Sequence, residues 1–166
     1  EGGWYYQQVA LGFNYRMTEL QAALGISQMQ RLDEFVAKRH ILQKKYDLLL
    51  EDLPIIKPYQ DKDSYSALHL YPIQIDLNST KKSRKQVFNE LRKKNISVNV
   101  HYIPIYSHPY YEKFDFSNEI LPIAENYYNR AISIPLFSIM TSLQQNTVEQ
   151  ALLSIFKLNN KSETIL

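Results

Sequence analysis

A long helix begins within the stretch GFNYRMTELQAALG, residues 12–25, and the rest of the predicted fold is built outward from it. Thr18, followed three residues later by Gln21, forms a capping-box pattern, in which each side chain hydrogen-bonds the backbone N–H of the other residue. Apolar residues then recur at helical spacing as far as Leu49, with charged residues between them. The pattern predicts one long helix that ends before Pro54.

Strand and helix patterns alternate after this helix. Residues 67–76 are predicted to form a strand, and because Pro72 cannot donate a ladder hydrogen bond, this strand is expected at a sheet edge or at a bulge. Ser79 or Thr80 is expected to open a second helix, and residues 96–102 alternate as a half-buried strand. The pattern continues with a helix from Pro122 to about Arg130, a strand at residues 132–134 and a helix from the Thr141–Gln144 capping box to about Phe156. The fold class is therefore α+β, with a long helix and a small sheet covered by helices.

Composition excludes several classes of protein. A net charge of +2, from 19 basic and 17 acidic side chains, is too balanced for a dedicated nucleic-acid binder. No apolar run approaches the roughly 20 residues that a membrane-spanning helix needs. The absence of cysteine excludes disulfides and thiol nucleophiles and fits a cytoplasmic protein.

Generic site motifs do not identify a reaction. The four histidines lack metal-ligand spacing, so no metal site is predicted. Four glycines in total leave no phosphate-binding loop, and no serine lies in a nucleophile elbow. These patterns alone describe an α+β domain without a stated function.

Four stretches nevertheless resemble, in content and in order, the aminotransferases of the DegT/DnrJ/EryC1/StrS family. The first runs from Gly12 to Gly25 and continues at Gln28 and Leu32-Asp33. The other three are HLYPI at residues 69–73, VHYIPIYSHPYY at residues 100–111 and ISIPL at residues 132–136. Together they span almost the whole chain.

The resemblance implies the C-terminal small domain of the aspartate-aminotransferase fold (the type I pyridoxal-phosphate fold). Family members use pyridoxal 5'-phosphate (PLP) as an electron sink. The implied reaction moves an amino group from an amino acid, glutamate, to C4 of a 4-keto-6-deoxy UDP-sugar in bacterial surface-glycan or pseudaminic acid biosynthesis. The lysine that holds the cofactor lies upstream of the first stretch in the family, and nothing here matches it. No catalytic residue is therefore predicted, and this chain alone is expected to be inactive.

The resemblance also implies an organisation and a set of partners. The predicted segments are 1–17 as the end of a large-domain or interface segment, 18–53 as a connecting helix, 54–158 as the small C-terminal α+β domain and 159–166 as a frayed tail. The expected partners are a UDP-sugar, an amino-acid donor and a second copy of the chain, in a homodimer with composite active sites. Neither a nucleic acid nor a membrane is expected as a partner.

Two residues before the first helix are the predicted cofactor contacts. Asn14 matches the family residue that contacts the cofactor phosphate of the neighbouring subunit, and an amide donor suits a phosphate oxygen. An Asn that hydrogen-bonds its own loop backbone is the alternative. Arg16 is expected either to reach the phosphate or to form an ion pair with Glu19.

Four consecutive residues, Asn99, Val100, His101 and Tyr102, match a family stretch that lines the nucleotide-sugar pocket. Asn99 and His101 lie on the polar face of the predicted strand, where they can donate to a sugar or a pyrophosphate. Parity directs Tyr102 to the opposite face, and a histidine satisfied within the sheet is the alternative for His101.

Other functions stay open beside the enzyme. The chain could be a non-catalytic module that binds a nucleotide sugar or dimerises, or part of a perosamine-type 4-amino-sugar synthase. A lysine-bearing PLP domain upstream of Glu1 would favour the enzyme.

Overall fold

The computed structural model describes residues 5, 7–13, 15–114 and 121–157. The chain divides into two compact units, Glu1–Asp33 and Glu34–Leu166. The predicted cofactor contact Asn14 and the predicted tail, residues 159–166, lie outside the described residues. The segment boundaries expected from the resemblance stay a prediction.

The first unit is built around helix α1 (Glu19–Met29). The predicted capping box is confirmed, because the Thr18 side chain accepts from the Gln21 N–H and the Gln21 side chain accepts from the Thr18 N–H. No residue of α1 is buried.

The single long helix predicted from the apolar spacing is wrong, because a turn separates α1 from helix α2 (Leu32–Leu49). At the turn, the Arg31 N–H bonds to the carbonyl of Gln28, three residues back, at 3.0 Å. The tighter bond ends the regular i−4 ladder of the α-helix. Apolar periodicity does not detect such a break, because the residues before the turn and the residues after it are both helical.

The second unit contains a three-stranded antiparallel sheet in the order β1-β2-β3. Strand β1 covers Ile55–Ile56, β2 covers Tyr71–Ile75 and β3 covers Ala131–Ile134. The predicted strand at residues 132–134 is confirmed, whereas β2 is shorter than the predicted 67–76. The sequence did not predict β1, because two residues are too short for a period to show.

Strand β2 is the middle strand, so the predicted edge position is wrong. Pro72 faces Ser133 in the register, and Ser133 exchanges both of its backbone hydrogen bonds with Asn99 on its other side. The pair of Pro72 and Ser133 is therefore a non-hydrogen-bonded pair, and the Pro72 nitrogen faces the β1 side. Strand β1 pairs only with Gln74 and Ile75. The proline thus lies where the sheet is locally open, and its missing N–H leaves no gap in the ladder.

Helix α3 (Arg84–Lys93) follows the sheet's middle strand. Ser83 and Gln86 form a capping box at its start. The earlier start predicted from the sequence is wrong, because Ser79 donates its hydroxyl to the Asp76 carboxylate in a turn.

The last two helices agree with the sequence pattern, whereas the stretch from Pro104, predicted as a loop, contains a 3-10 turn and a four-residue helix. The remaining elements are a 3-10 turn at Ile105–Ser107, α4 (Pro109–Glu112), α5 (Pro122–Arg130) and α6 (Ser142–Lys157). The predicted helix from Pro122 to Arg130 is confirmed, since proline suits the first helical turn. The predicted last helix is confirmed as well.

One hydrophobic core joins the sheet to three helices. Tyr71, Ile73 and Ile75 alternate on the buried face of β2, as the period of a half-buried strand requires. They belong to one cluster with side chains of α2, α3 and α6, namely Leu42, Tyr46, Val87, Leu91, Val148, Leu152 and Ile155. The α+β class predicted from the sequence is confirmed.

Two buried tyrosines lie in this core, and the hydroxyl of each donates a hydrogen bond. Tyr46 donates to the Pro135 carbonyl at 3.0 Å, and Tyr71 donates to the Asp47 carboxylate at 2.5 Å. Gln43 also donates to that carboxylate. Burial raises the pKa of Tyr46 and of Tyr71 above the ordinary value, so both stay neutral donors.

Replacing the α6 cap tests how the last helix is held. Thr141 accepts from the Gln144 N–H at 3.2 Å, and Gln144 accepts from the Thr141 N–H at 2.8 Å. We expect Thr141→Ala to lower the free energy of unfolding by about 1 kcal/mol. Urea denaturation followed by far-UV circular dichroism measures the change.

The matched control is Thr147→Ala, on the same helix. Its hydroxyl donates back to the Leu143 carbonyl at 2.9 Å, a bond that contributes nothing to capping. This variant should unfold at the same urea concentration as the unmodified protein or slightly above it. Equal losses at both positions would contradict the cap.

Candidate functional site

Three separate stretches of the chain meet at one small cleft in the second unit. The cleft has a volume of about 180 Å³. Its lining comes from the start of β2, from the segment that bridges to β3 and from the end of β3. The lining residues are His69, Leu70, Ser97, Val98, Asn99, His101, Ser133, Ile134, Pro135 and Leu136.

The segment before His101 contacts β3 through a single bridge. The Ser133 N–H donates to the Asn99 carbonyl at 2.8 Å, and the Asn99 N–H donates back at 3.3 Å. The predicted strand at residues 96–102 is therefore wrong as a full strand. Its alternation holds at Ile96 and Val98, which are both buried, and stops at Val100.

Side-chain hydrogen bonds close a ring among Asn99, His101 and Ser133. The Asn99 Oδ1 accepts from the Val100 N–H at 2.8 Å, which directs the Asn99 amide nitrogen towards the imidazole. That nitrogen lies 3.4 Å from the His101 Nε2. The His101 Nδ1 lies 2.8 Å from the Ser133 Oγ. The bridge and the ring together fix the position of the His101 side chain.

The ring also selects a tautomer of His101. An amide N–H from Asn99 needs an acceptor, so the Nε2 carries the lone pair. The proton is then on Nδ1, which donates to the Ser133 oxygen. In this arrangement the Ser133 Oγ accepts from Nδ1, and the 3.4 Å contact leaves the His101 Nε2 only weakly engaged.

The described cleft combines an apolar wall with a few polar groups and has no Asp, Glu, Lys or Arg in its lining. The polar side-chain groups are two imidazoles, one amide and two hydroxyls. Groups that both donate and accept suit a ligand rich in hydroxyls. The volume falls below the roughly 300–1,000 Å³ of sites for drug-sized ligands, so the cleft suits one ring at most.

Tyr102 does not lie where its parity placed it. The side chain is 70% exposed and contacts the His101 ring edge-on, with the centroids 4.6 Å apart. The predicted inward face is wrong, because the extended alternation has already stopped at Val100. Tyr102 does not line the cleft among the described residues.

The structure does not test the two predicted cofactor contacts. Arg16 belongs to the first unit and is exposed, and Asn14 lies outside the described residues. Lys57 is half-buried and donates to the Asp47 carbonyl at 2.8 Å. It does not line the cleft.

A side-chain hydrogen bond holds the aromatic stretch that follows Tyr102 in the chain. Tyr106 donates to the Glu125 carboxylate at 2.6 Å, linking the 3-10 turn to α5. This hydrogen bond, together with burial, raises the pKa of Tyr106 to about 12. Tyr106 thus stays protonated, and the link stays closed, throughout the neutral range.

The described residues contain a second cleft and no metal-binding cluster. A larger cleft of about 550 Å³ lies against the start of α5, but it is lined by apolar side chains and Tyr127 and borders residues that are not described. Within the described ranges, no three His, Asp or Glu side chains are grouped to hold a metal ion. In the same part of the chain, no helix is long and apolar enough to cross a membrane.

The family model of the DegT/DnrJ/EryC1/StrS aminotransferases matches residues 2–153, which include all three stretches around the cleft. The chain belongs to this family. The spore coat polysaccharide biosynthesis protein SpsC of Bacillus subtilis is 35% identical over 159 residues, covering 94% of this chain and 41% of SpsC. The UDP-4-amino-4,6-dideoxy-N-acetyl-β-L-altrosamine transaminase of Campylobacter jejuni is 34% identical over 156 residues, covering 93% of this chain and 41% of that protein.

Solved structures agree on the fold. Helicobacter pylori PseC, an aminotransferase involved in the biosynthesis of pseudaminic acid, superimposes with a TM-score of 0.83 at 28% identity, covering 95% of this chain and 42% of PseC. Spr1654 of Streptococcus pneumoniae in its PLP form has a TM-score of 0.81 at 23% identity, covering 95% of this chain and 40% of Spr1654. The chain thus spans about 41% of the curated relatives it matches.

Sequence reasoning found part of this DegT-family cleft and missed two of its residues as site residues. Asn99 and His101 line this cleft, and their contact with a nucleotide sugar stays a prediction. His69 and Ser133 were noticed only as members of the HLYPI and ISIPL stretches. The family resemblance of both stretches was the only sequence signal for a site role of His69 and Ser133. The fold brings the two stretches to one cleft.

Removing the Ser133 hydroxyl tests the ring. In Ser133→Ala the His101 Nδ1–H loses its acceptor, so we expect the imidazole to populate both tautomers instead of one. Long-range ¹H–¹⁵N spectra of the histidine rings measure the tautomer ratio. The free energy of unfolding should fall by about 1 kcal/mol for the lost hydrogen bond.

Ser97→Ala is the matched control, because Ser97 lines the same cleft and is exposed. It should leave the His101 tautomer unchanged. An unchanged tautomer in Ser133→Ala would show that the ring does not set the protonation pattern.

Proposed function

We propose that this chain is the sugar-binding part of a PLP-dependent nucleotide-sugar aminotransferase. The complete enzyme moves an amino group from glutamate to C4 of a 4-keto-6-deoxy UDP-sugar, in bacterial surface-glycan or pseudaminic acid biosynthesis. It acts in the cytoplasm, where its nucleotide-sugar substrates are made.

The convergence of three family stretches on one cleft that lacks Asp, Glu, Lys and Arg carries the proposal. A sugar hydroxyl both donates and accepts, and the ring of Asn99, His101 and Ser133 supplies an imidazole, an amide and a hydroxyl. A phosphate dianion would call for cations, which the described lining lacks. The cleft therefore fits the sugar rather than the diphosphate.

The same charge argument places PLP outside this cleft. PLP is the cofactor of the DegT-family aminotransferases, where it acts as an electron sink for amino-group transfer. Its phosphate has no cationic partner in the described lining, and no lysine is present there to hold the aldehyde. The residues of the cleft thus do not fit PLP, and we assign no step through the cofactor to them. Asn14 and Arg16 are the proposed cofactor contacts of this chain.

The cleft residues position the sugar. His101 is fixed from two sides, by Asn99 and by Ser133, so its ring does not have to be ordered when a ligand binds. A fixed hydrogen-bonding group that engages a ring hydroxyl sets the rotation of the sugar. This rotation decides which carbon faces the reacting group.

The complete enzyme is proposed to be a homodimer with composite active sites. In the described part of the first unit, Leu11 is 95% exposed and Leu20 is 85% exposed, beside exposed Val9 and Phe13. Apolar side chains exposed in such a group favour association. A second copy of the chain is the proposed partner, and it brings its Asn14 to the other active site.

Amino transfer by the complete protein that carries this chain tests the function. With PLP, ¹⁵N-glutamate and a UDP-4-keto-6-deoxy-N-acetylhexosamine, we expect ¹⁵N at C4 of the sugar, detected by mass spectrometry. His101→Ala should lower kcat/KM about tenfold, as expected for one lost hydrogen bond to the substrate. The 166-residue chain alone should give no product.

His108→Ala is the control, because this exposed histidine follows the same segment and does not line the cleft. It should keep full activity. Transfer only to a GDP-linked keto sugar would favour the perosamine-type reaction. Binding of the UDP-sugar without any transfer would favour the non-catalytic module and contradict the enzyme.

Mixing two impaired variants, at a PLP concentration too low to saturate Asn14→Ala, tests the composite site. In the complete protein, Asn14→Ala should weaken PLP binding about threefold to tenfold, because one hydrogen bond to the phosphate is lost. A variant of the upstream cofactor lysine should bind sugar without turnover. Mixed with Asn14→Ala, it should regain activity, because each mixed dimer contains one intact site. A fully active monomer in analytical ultracentrifugation would contradict the dimer.

A further inference from the structure

Leu68, directly before the cleft, has an unusual backbone. Its φ is 51°, in the left-handed region that side chains other than those of Gly, Asn and Asp rarely adopt. The side chain is buried in the hydrophobic core, so the conformation cannot relax without exposing it. Backbone strain of this kind persists only where surrounding contacts hold it, and it is frequent beside functional sites.

Two neighbouring residues of α2 supply those contacts. Arg39 donates from its guanidinium to the Leu68 carbonyl at 3.1 Å. The His40 Nε2 lies 2.8 Å from the Ser66 carbonyl, and its ring stacks on Tyr65 with the centroids 4.5 Å apart. Helix α2 therefore clamps residues 65–68 at three points.

The clamp ends at the residue that reaches the cleft. The carbonyl that accepts from Arg39 belongs to the peptide bond between Leu68 and His69, so the guanidinium fixes the plane from which His69 projects. His69 is exposed and lines the cleft that also contains His101. The left-handed turn at Leu68 directs the chain into this position before β2 begins at Tyr71.

We propose that His69 is a second substrate-contacting residue of the cleft and that Arg39 is its positioning residue. The inference rests on the proposed sugar site and extends it. His101 and His69 lie on different lining segments, one bridged to β3 and one at the start of β2, so they contact different hydroxyls of one sugar ring. Two such contacts distinguish epimers, which a single hydrogen bond does not.

The four histidines of the chain allow a direct test by NMR. Their ring signals are assigned with His→Gln variants, and the 166-residue chain is titrated with UDP-N-acetylglucosamine as the probe. We expect the signals of His69 and His101 to shift with one common dissociation constant. The signals of His40 and His108, which do not line the cleft, should stay in place and serve as internal controls.

The Arg39→Met variant tests the positioning role. It removes the bond to the Leu68 carbonyl while keeping an unbranched side chain on α2. The dissociation constant should rise about threefold to tenfold, and the shift of the His69 signal should shrink while that of His101 persists. Adding His69→Gln to Arg39→Met should cause no further loss, since both changes remove the same contact.

Lys38→Met is the matched control on α2, because Lys38 is exposed and forms an ion pair with Glu34 at 2.5 Å. It should bind the probe like the unmodified chain. His69→Gln changes an exposed side chain, so the fold is not at risk, and its weaker binding tests the contact even if Arg39→Met proves unstable.

The outcomes separate this inference from the proposed function. A shift of His101 without a shift of His69 would overturn the second contact and leave the sugar site in place. An unchanged dissociation constant in His69→Gln would do the same. Shifts of neither histidine would overturn the sugar site itself, and with it the role of His69.

Discussion

Two backbone hydrogen bonds between Asn99 and Ser133 hold the segments around the candidate cleft together. They connect the segment after α3 to β3, and they place the Asn99 and Ser133 side chains on either side of His101. Ser133 forms both of its backbone hydrogen bonds with Asn99. Pro72, which faces Ser133 in β2, therefore needs no backbone N–H at this position. The same pair of bonds thus fixes the cleft and lets a proline lie in the middle strand.

The proposed sugar site relies on groups without formal charge. Neutral groups that donate and accept discriminate by geometry, since each hydroxyl must meet a partner in a fixed direction. Fixed partners lower the entropy cost of binding, because no side chain has to be ordered at that moment. The hydrogen-bonded ring around His101 and the contacts of Arg39 and His40 before His69 both hold polar groups in fixed positions.

The buried tyrosines show how the core supports this geometry. Tyr46 on α2 donates to the Pro135 carbonyl, directly after β3, and Pro135 is itself part of the cleft lining. Helix α2 is thereby tied to the end of β3 through the core and to the start of β2 through Arg39. The two walls of the cleft are held by the same helix, so packing of α2 and shape of the cleft are linked.

The sequence by itself determined the elements whose signals are local. Capping boxes at Thr18 and Thr141 and the proline that starts α5 hold in the structure, because each depends on residues within one helical turn. It also identified the family and named Asn99 and His101 as candidate site residues, although it did not predict their ring with Ser133.

Only the tertiary structure decided the rest. The central position of β2 and the exposure of Tyr102 depend on where bonds between distant residues form, and apolar periodicity does not report such bonds. The meeting of His69 with His101 has the same cause. The two residues are far apart in the chain, and they share a cleft because β2 pairs with β3 while Asn99 bridges to the other side of β3. Side chains are brought together by strand pairing, whose register is a property of the whole sheet rather than of any one segment.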